Sequence, residues 1–300
     1  MLLRRSIACG SFSPVTYLHL RMFEMARDHA RLHSDFEIVG GYLSPVSDEY
    51  KKPGLAPGAH RFNMCQLACK QESDWLSVDP WEVLQPNYSK TADVLDHFRE
   101  ELNNKHGGVE VLDEPGERRD VRIMLLAGSD LIQTMSEPDV WDVKDLHHIL
   151  GDYGCFIIER AESEIDQSIF SSSSVHSRSP LALYANNIYM VSQLIRNDVS
   201  STKVRLFLKK DMSVMYLTPR AVVRYIQQHG LYQGRYHGEL PVEGSSSAAA
   251  LTKTRSRSRT PVSSDERRQA STSRSISRAT PTAADGDDSD EDFELMPVED

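Results

Sequence analysis

The 300-residue sequence predicts an α/β fold, a doubly wound parallel sheet with helices on its faces. Three observations carry that reading. Strand-like and helix-like segments alternate from residue 3 to residue 230. The most apolar segment, VRIMLLAG at 121–128, is hydrophobic on both faces, as a central parallel strand must be. Two glycine-serine turns, Gly10-Ser11 and Gly128-Ser129, each close such a strand and open a helix, where open α/β sheets bind ligands.

Taken in order, residues 3–9 read as the first strand, ending at Gly10. Leu18, Met22, Met25, Ala26 and Ala30 then recur at helical spacing. FEIVGGYL at 36–43 is a second strand, bounded by Ser44-Pro45. HRFNMCQLACK at 60–70 has helical periodicity, and WLSVD at 75–79 is a short strand. The next helix, 92–108, places Leu95, Phe98 and Leu102 on one face and stops at Gly107-Gly108. CFIIE at 155–159 and NIYMVSQ at 187–193 complete the sheet. TPRAVVRYIQQHG at 218–230 reads as a helix with Thr218 as N-cap, Pro219 at the first position and Gly230 past the end. Trp75 and Trp81 read as core aromatics, and His60, His147 and His148 as surface or capping groups.

Composition divides the chain near residue 240. Residues 1–240 hold the apolar material of one folded domain, whereas 241–300 form a Ser/Arg-rich and then acidic tail. Such a tail cannot bury enough surface to offset ordering entropy of about 1–2 kcal/mol per residue, so it is expected to be disordered. SIFSSSSVHSRSP at 168–180 reads as a mobile surface loop and is given no role. The formal charge of −10 argues against a general nucleic-acid binder, although local cations can still make a positive pocket. Cys9, Cys65, Cys69 and Cys155 lack zinc-ligand spacing and are expected to be buried free thiols in a reducing compartment. No apolar run approaches the ~20 residues of a membrane helix, and the opening MLLRRSIACGSF is too short and interrupted for a secretory signal.

CGSFSPVTYLHLRMF at 9–23 raises the question of function. A glycine-serine turn, a helix start and a histidine, His19, one turn in are suited to phosphate, because helix-start N–H groups and the macrodipole attract anions. A tight turn with a solvated histidine would look the same. NDVSSTKVR at 197–205 gathers Ser200, Ser201, Thr202, Lys203 and Arg205 at another helix start. A polyphosphate held between the two starts accounts for both groups.

GSFSPVTYLHL resembles the (T/H)xxH signature of the nucleotidyltransferase superfamily, and NDVSSTKVR its ISSTxxR signature. With SPVSDEYKKPGL, DPWEVLQPNYSKT, LAGSDLI and EPDVW, residues 5–233 are similar to eukaryotic nicotinamide/nicotinate mononucleotide adenylyltransferases. The resemblance implies a Rossmann-like nucleotidyltransferase fold and the synthesis of NAD, or deamido-NAD, from ATP and the mononucleotide, with Mg²⁺ accompanying ATP and no metal ligands on the protein. His19, Lys203 and Arg205 would be the catalytic set. ATP would be bound by Gly10, Ser11, Phe12, His19, Gly128, Asp130, Arg160, Asn197, Ser201, Thr202, Lys203, Val204 and Arg205. The mononucleotide would meet Gly10, Ser11, Lys52 at its phosphate, and Tyr88, Thr91, Val140 and Trp141 around its pyridine ring. Tyr88 stands where a tryptophan is expected, and Gln193 where an acidic residue is, which puts the latter contact in doubt.

The resemblance also implies a homo-oligomer, with neither nucleic acid nor membrane as partner. The RSRSRTP, RRQAS and RATP stretches of the tail are expected to attract kinases, and the chain to be nuclear, cytoplasmic or both. A chaperone-like or phosphorylation-regulated binding protein is the alternative, possibly alongside catalysis.

Overall fold

Strand β1 (Leu2–Gly10) lies at the middle of the sheet because Ile7 and Ala8 are both buried, one against each face. The structure is a computed structural model that describes residues 2–111, 114–137, 140–159 and 180–234. Arg160, residues 168–179 and the tail from 241 lie outside the described residues. Around β1 stand β2 (Phe36–Pro45), β3 (Leu76–Val78), β6 (Arg122–Gly128), β7 (Cys155–Ile158) and β8 (Ile188–Val191), in the order β3-β2-β1-β6-β7-β8 and all parallel. The order reverses between β1 and β6. That crevice, between Gly10 and Gly128 at the strands' carboxyl ends, is the topological switch point.

Alternation along the central strands sorts the core into two layers. On one face, Ala8, Met124, Leu126, Phe156 and Ile158 meet α1 (Tyr17–His33), α2 (Gly58–Glu72) and α8 (Arg220–Gln228). On the other, Ile7, Ile123, Leu125, Ala127, Cys155 and Ile157 meet α3 (Thr91–Arg99), α4 (Ser129–Ser136) and α5 (Val143–His148). The strand at 121–128 is central, as its two apolar faces require. Short α6 (Pro180–Leu183) precedes β8, and α7 (Ser201–Lys209) follows it. No helix among the described residues is long and apolar enough to cross a membrane.

Three features differ from the sequence reading. The helix expected over 92–108 is α-helical only to Arg99 and continues in π-helical turns over Glu100–Lys105. A separate antiparallel hairpin, β4 (Val109–Val111) and β5 (Glu114–Arg119), had no apolar alternation to announce it. The N-cap of α8 is Pro219, and Thr218 is buried with its hydroxyl donating to the Val15 carbonyl. A hydroxyl that would have capped its own helix instead ties α8 to the loop before α1. The four cysteines are unpaired, and burial pushes the Cys69 and Cys155 thiols up to about 12.

The three sequence-assigned histidines are hydrogen-bonded between elements rather than solvated. His60 bonds Tyr225 at 3.0 Å and His147 bonds Tyr184 at 3.1 Å. His148 bridges Asp152 (2.6 Å) and Asp96 (2.8 Å), and Asp96 also takes bonds from Tyr153 and Arg99. Burial works against the His148 charge, but the two carboxylates outweigh it and raise its pKa. A raised folded-state pKa gives stability that is complete below the unfolded value of about 6.5 and is lost as pH rises through the folded one. His148→Gln is therefore expected to lower the unfolding temperature at pH 6 more than at pH 9, with a difference of about 1 kcal/mol at most for so accessible a pair. Thermal unfolding of both chains across that range measures it.

Candidate functional site

The loop after β1 carries the first anchor. Gly10 accepts from the Val46 N–H at 3.1 Å, and a Cβ at Gly10 would stand 3.1 Å from the Phe12 ring. Phe12 is buried with φ at 41°, a left-handed conformation uncommon for a residue with a side chain. Its ring meets that of His19 edge-to-face at 5.2 Å.

His19 does more than the sequence suggested. Thr16 is the N-cap of α1, and His19, three residues on, closes a capping box with it. The Thr16 N–H donates to His19 Nδ1 at 2.9 Å, so Nδ1 is an acceptor and a neutral ring carries its proton on Nε2. The cap thereby fixes the tautomer as well as the ring, leaving an N–H of known position one turn into the helix. Sequence reasoning placed the histidine one turn into the helix and noted the T-x-x-H spacing, but did not read the pair as a capping box.

The second anchor is the start of α7. Its N-cap, Ser200, accepts from the Lys203 N–H at 3.2 Å. Ser201 Oγ donates to the Pro14 carbonyl at 2.8 Å, and Arg205 Nη1 donates to the Ser13 carbonyl at 2.8 Å. The start of α7 is thus bonded to the loop that leads into α1, 184 positions earlier in sequence from Ser201 to Tyr17. Thr202 lies 3.4 Å from Arg205 Nη2, and the exposed Lys203 ammonium pairs with Asp198. Val204 is fully buried against Val214 and Val223, and its N–H is committed to the Ser200 carbonyl, so its contribution is to seat the helix. Asn197 Oδ1 accepts from the Val199 N–H, while Gln193 braces the same turn: its Nε2 donates to the Glu159 carbonyl and its Oε1 accepts from the Asn197 N–H. Where an acidic residue was expected, the amide serves as a loop strut.

Between the anchors lies the carboxyl end of β6. Gly128 is the N-cap of α4 and Asp130 is exposed in its first turn. Arg160 falls outside the described residues.

The opposite rim is aromatic and more open. Lys52 is exposed in the loop after β2. Tyr88 is 52% exposed and stacks on Tyr50 at 5.8 Å and 26°, a partner that sequence reasoning missed. Thr91 begins α3, behind the Lys90–Asp145 ion pair. Val140 is exposed; Trp141 is partly buried on the second core layer, its indole N–H donating to Thr134 Oγ1 at 3.1 Å. Trp81 is core, stacked on His97 at 4.4 Å, and Trp75 is bonded to Glu24.

Two buried polar residues beneath the cleft also escaped the sequence reading. Arg61, fully buried, donates to the carbonyls of Ser11 (3.3 Å) and Ala56 (2.9 Å) and to Asp48 (2.9 Å). Glu82 is buried and accepts from the Ser44 hydroxyl. Burial raises its pKa from 4.5 to about 7, with Asp79 adding to the rise and Ser44 and Arg61 opposing it. For a raised carboxyl, stability is greatest below the unfolded pKa and falls as pH climbs from about 4.5 to about 7. Glu82→Gln, which keeps an acceptor for Ser44, is expected to stabilise the fold by roughly 2–3 kcal/mol above pH 7 and to lose that advantage near pH 4.5. Chemical denaturation at the two pH values tests the sign.

Comparison with known proteins follows the geometry. Residues 7–207 match the family model for cytidylyltransferase-like proteins. The chain is 56% identical over 226 residues to nicotinamide/nicotinic acid mononucleotide adenylyltransferase 1 of Saccharomyces cerevisiae, covering 75% of this chain and 54% of that protein. It is 37% identical to the Bos taurus protein of the same description, over 75% of this chain and 87% of the relative. The chain therefore spans about half the length of the Saccharomyces relative and most of the bovine one. Its fold is that of Plasmodium falciparum nicotinic acid mononucleotide adenylyltransferase complexed with APC, at a TM-score of 0.53 and 20% identity over 76% of this chain and 96% of that one. The loop after β1, the capped histidine and the Ser-Ser-Thr-Lys helix start all fall within residues 7–207, and on these matches the chain belongs to the nicotinamide/nicotinic acid mononucleotide adenylyltransferases of the cytidylyltransferase-like family.

Proposed function

We propose that this chain transfers the adenylyl group of ATP to nicotinamide or nicotinate mononucleotide, making NAD or deamido-NAD and releasing pyrophosphate. The observation that carries the reading is that α7 bonds, through Ser201 and Arg205, to the Ser13-Pro14 turn that leads from the sheet's switch point into α1. Family membership supplies the substrate class, and a Plasmodium relative has been solved complexed with NaAD.

The chemistry asks little of the protein in covalent terms. A 5′-phosphate monoester is largely ionised at neutral pH, so its oxygen can attack the α-phosphorus in line without a general base. The barrier lies in bringing two polyanions together and in the charge that grows on departing pyrophosphate. Positioning and preorganised donors address both. In this reading His19 donates from Nε2 to the ATP phosphates, and Lys203, Arg205 and the α7 helix start hold the outer ones. Lys203 would exchange Asp198 for phosphate. Lys52 steers the attacking phosphate, and Tyr88 and Trp141 flank the pyridine ring. Mg²⁺ would arrive carried on the ATP phosphates, whose charge it would help to neutralise; the described residues hold no group of three or more metal-binding side chains, and the cationic start of α7 suits the phosphates and not the ion.

A coupled assay for NAD formation from ATP and nicotinamide mononucleotide tests the reading directly. His19→Ala is expected to lower turnover by roughly 10²-fold, comparable to the loss of one preorganised donor. Lys52→Ala is expected instead to raise KM for the mononucleotide well above any change in KM for ATP. Equal effects of the lysine substitution on both substrates would move it to the other phosphate.

Every residue assigned to this chemistry precedes the tail. Removing residues 244–300 is therefore expected to leave adenylyl transfer within about twofold. We assign the tail to localisation or partner binding, since each added phosphate contributes about −1.5 to −2 charge to a basic block. Activity, cellular distribution and binding partners of full-length and shortened chains decide both halves of that assignment.

A further inference from the structure

Leu231 and Tyr232 follow α8, in a turn that belongs to no element of the sheet and to no motif described above. Tyr232 is largely buried nonetheless, and its φ of 61° is a costly conformation for a residue with a side chain. Its hydroxyl stands 2.7 Å from Ser13 Oγ. Ser13 is fully buried, and the same Oγ accepts from the Ala56 N–H at 2.9 Å. The Ser13 carbonyl is the oxygen that receives Arg205 Nη1.

We propose that Tyr232 is a positioning residue for ATP: its hydroxyl locks Ser13, and through the Ser13 carbonyl sets where Arg205 presents its guanidinium to the polyphosphate. The proposal rests on the assignment of this cleft to ATP. Ser13 has one side-chain oxygen and three demands on its orientation: the Ala56 amide, the Tyr232 phenol and the carbonyl bond to Arg205. With the phenol in place these are met at once. Without it, the hydroxyl keeps one partner and the peptide bearing the Arg205 acceptor gains freedom. Besides the long contact to Thr202 Oγ1 at 3.4 Å, the Ser13 carbonyl at 2.8 Å is what places the Arg205 guanidinium, so the guanidinium follows that carbonyl. Burial pushes the phenol's pKa up, although Ser13 and the nearby Arg205 and Arg61 pull against it, so at working pH it keeps its proton.

The arrangement is specific to one half of the cleft. Both α7 bonds fall on the Ser13 and Pro14 carbonyls, whereas the Lys52 loop meets Ser13 only through the Ala56 N–H, a bond that survives loss of the phenol and lies four residues from Lys52. A fault at Tyr232 therefore reaches ATP before it reaches the mononucleotide.

Tyr232→Phe in the full chain removes the hydroxyl and keeps the ring. The expected result is about tenfold weaker binding of α,β-methylene-ATP by calorimetry and about tenfold lower kcat/KM for ATP, the size of one lost hydrogen bond. KM for the mononucleotide stays within about twofold and the unfolding temperature within about 2 °C. In an Arg205→Ala background the substitution costs nothing further, because its effect runs through that side chain. Unchanged analogue affinity in Tyr232→Phe overturns the proposal, as does a loss shared equally by both substrates, or a full additional loss in the Arg205→Ala background. A wild-type chain that binds the analogue but forms no dinucleotide would sink the transferase reading, and the analogue affinities would still decide the role of Tyr232.

Discussion

The cleft is built on one buried cation. Arg61 has no exposed surface, and a charge so placed is tolerable only when its donors are matched. Its planar fork ties two loops together: Ser11 in the loop after β1, and Asp48 and Ala56 near the two ends of the loop between β2 and α2. Asp48 in turn accepts from the Gly58 N–H at 2.9 Å, closing the ring at the start of α2. A lysine offers no such fork and could meet one of these partners at a time. Gly58 is fitted to the same knot, since a Cβ there would stand 2.7 Å from Val83 and 3.1 Å from the Asp48 carboxylate. The phosphate loop and the lysine-bearing loop therefore share one fixed reference point.

From that point rigidity passes outward by backbone bonds. Arg61 holds the Ser11 carbonyl, Arg205 the Ser13 carbonyl, Ser201 the Pro14 carbonyl and Thr218 the Val15 carbonyl. Four carbonyls of a five-residue loop thus accept from side chains of other segments. Burial lowers the pKa of Arg205, yet a guanidinium remains charged at any working pH. The positive field is thus in place before a ligand arrives, which is the condition for electrostatic stabilisation without reorganisation.

How far the sequence disclosed this follows from the physics of each residue. The strands at 36–43, 121–128 and 155–159 were legible because buried parallel strands must be apolar, and the glycine-serine turns because helix starts at a switch point need small residues. Thr16, which caps α1, stood out only through the T-x-x-H pattern, whereas Ser200 announced its helix as a cap does. Thr218 carried the same signal and misled, because a tertiary acceptor, the Val15 carbonyl, outbid the local N–H. Arg61 and Glu82 were illegible, since a charged residue in a sequence reads as solvated until the fold supplies its partners. The one hint lay in α2 itself: Arg61, Phe62, Asn63, Met64 and Cys65 are consecutive and all buried, so the helix has no polar face at that level. A wedge between sheet and α8 leaves no solvent side for an arginine to occupy.

The two halves of the cleft differ in the same physical terms. On the phosphate side the side chains are committed before binding, through the His19 cap, the Arg205 carbonyl bond and the buried Ser13. On the aromatic side, Tyr50, Tyr88, Val140 and Lys52 are exposed, and the contact fixing Tyr88 is its stack on Tyr50. Ordering such side chains on binding costs about 0.5–1.5 kcal/mol each, whereas the phosphate side has met that cost on folding. Triphosphate presents a dense, fixed array of charge, for which a rigid donor set loses least. A mononucleotide whose ring carries either an amide or an acid is better met by surfaces that settle around it. Arg61 fixes the backbone of both halves, at Ser11 on one side and at Asp48 and Ala56 on the other, and the adaptable half differs in that its side chains stand free of that scaffold.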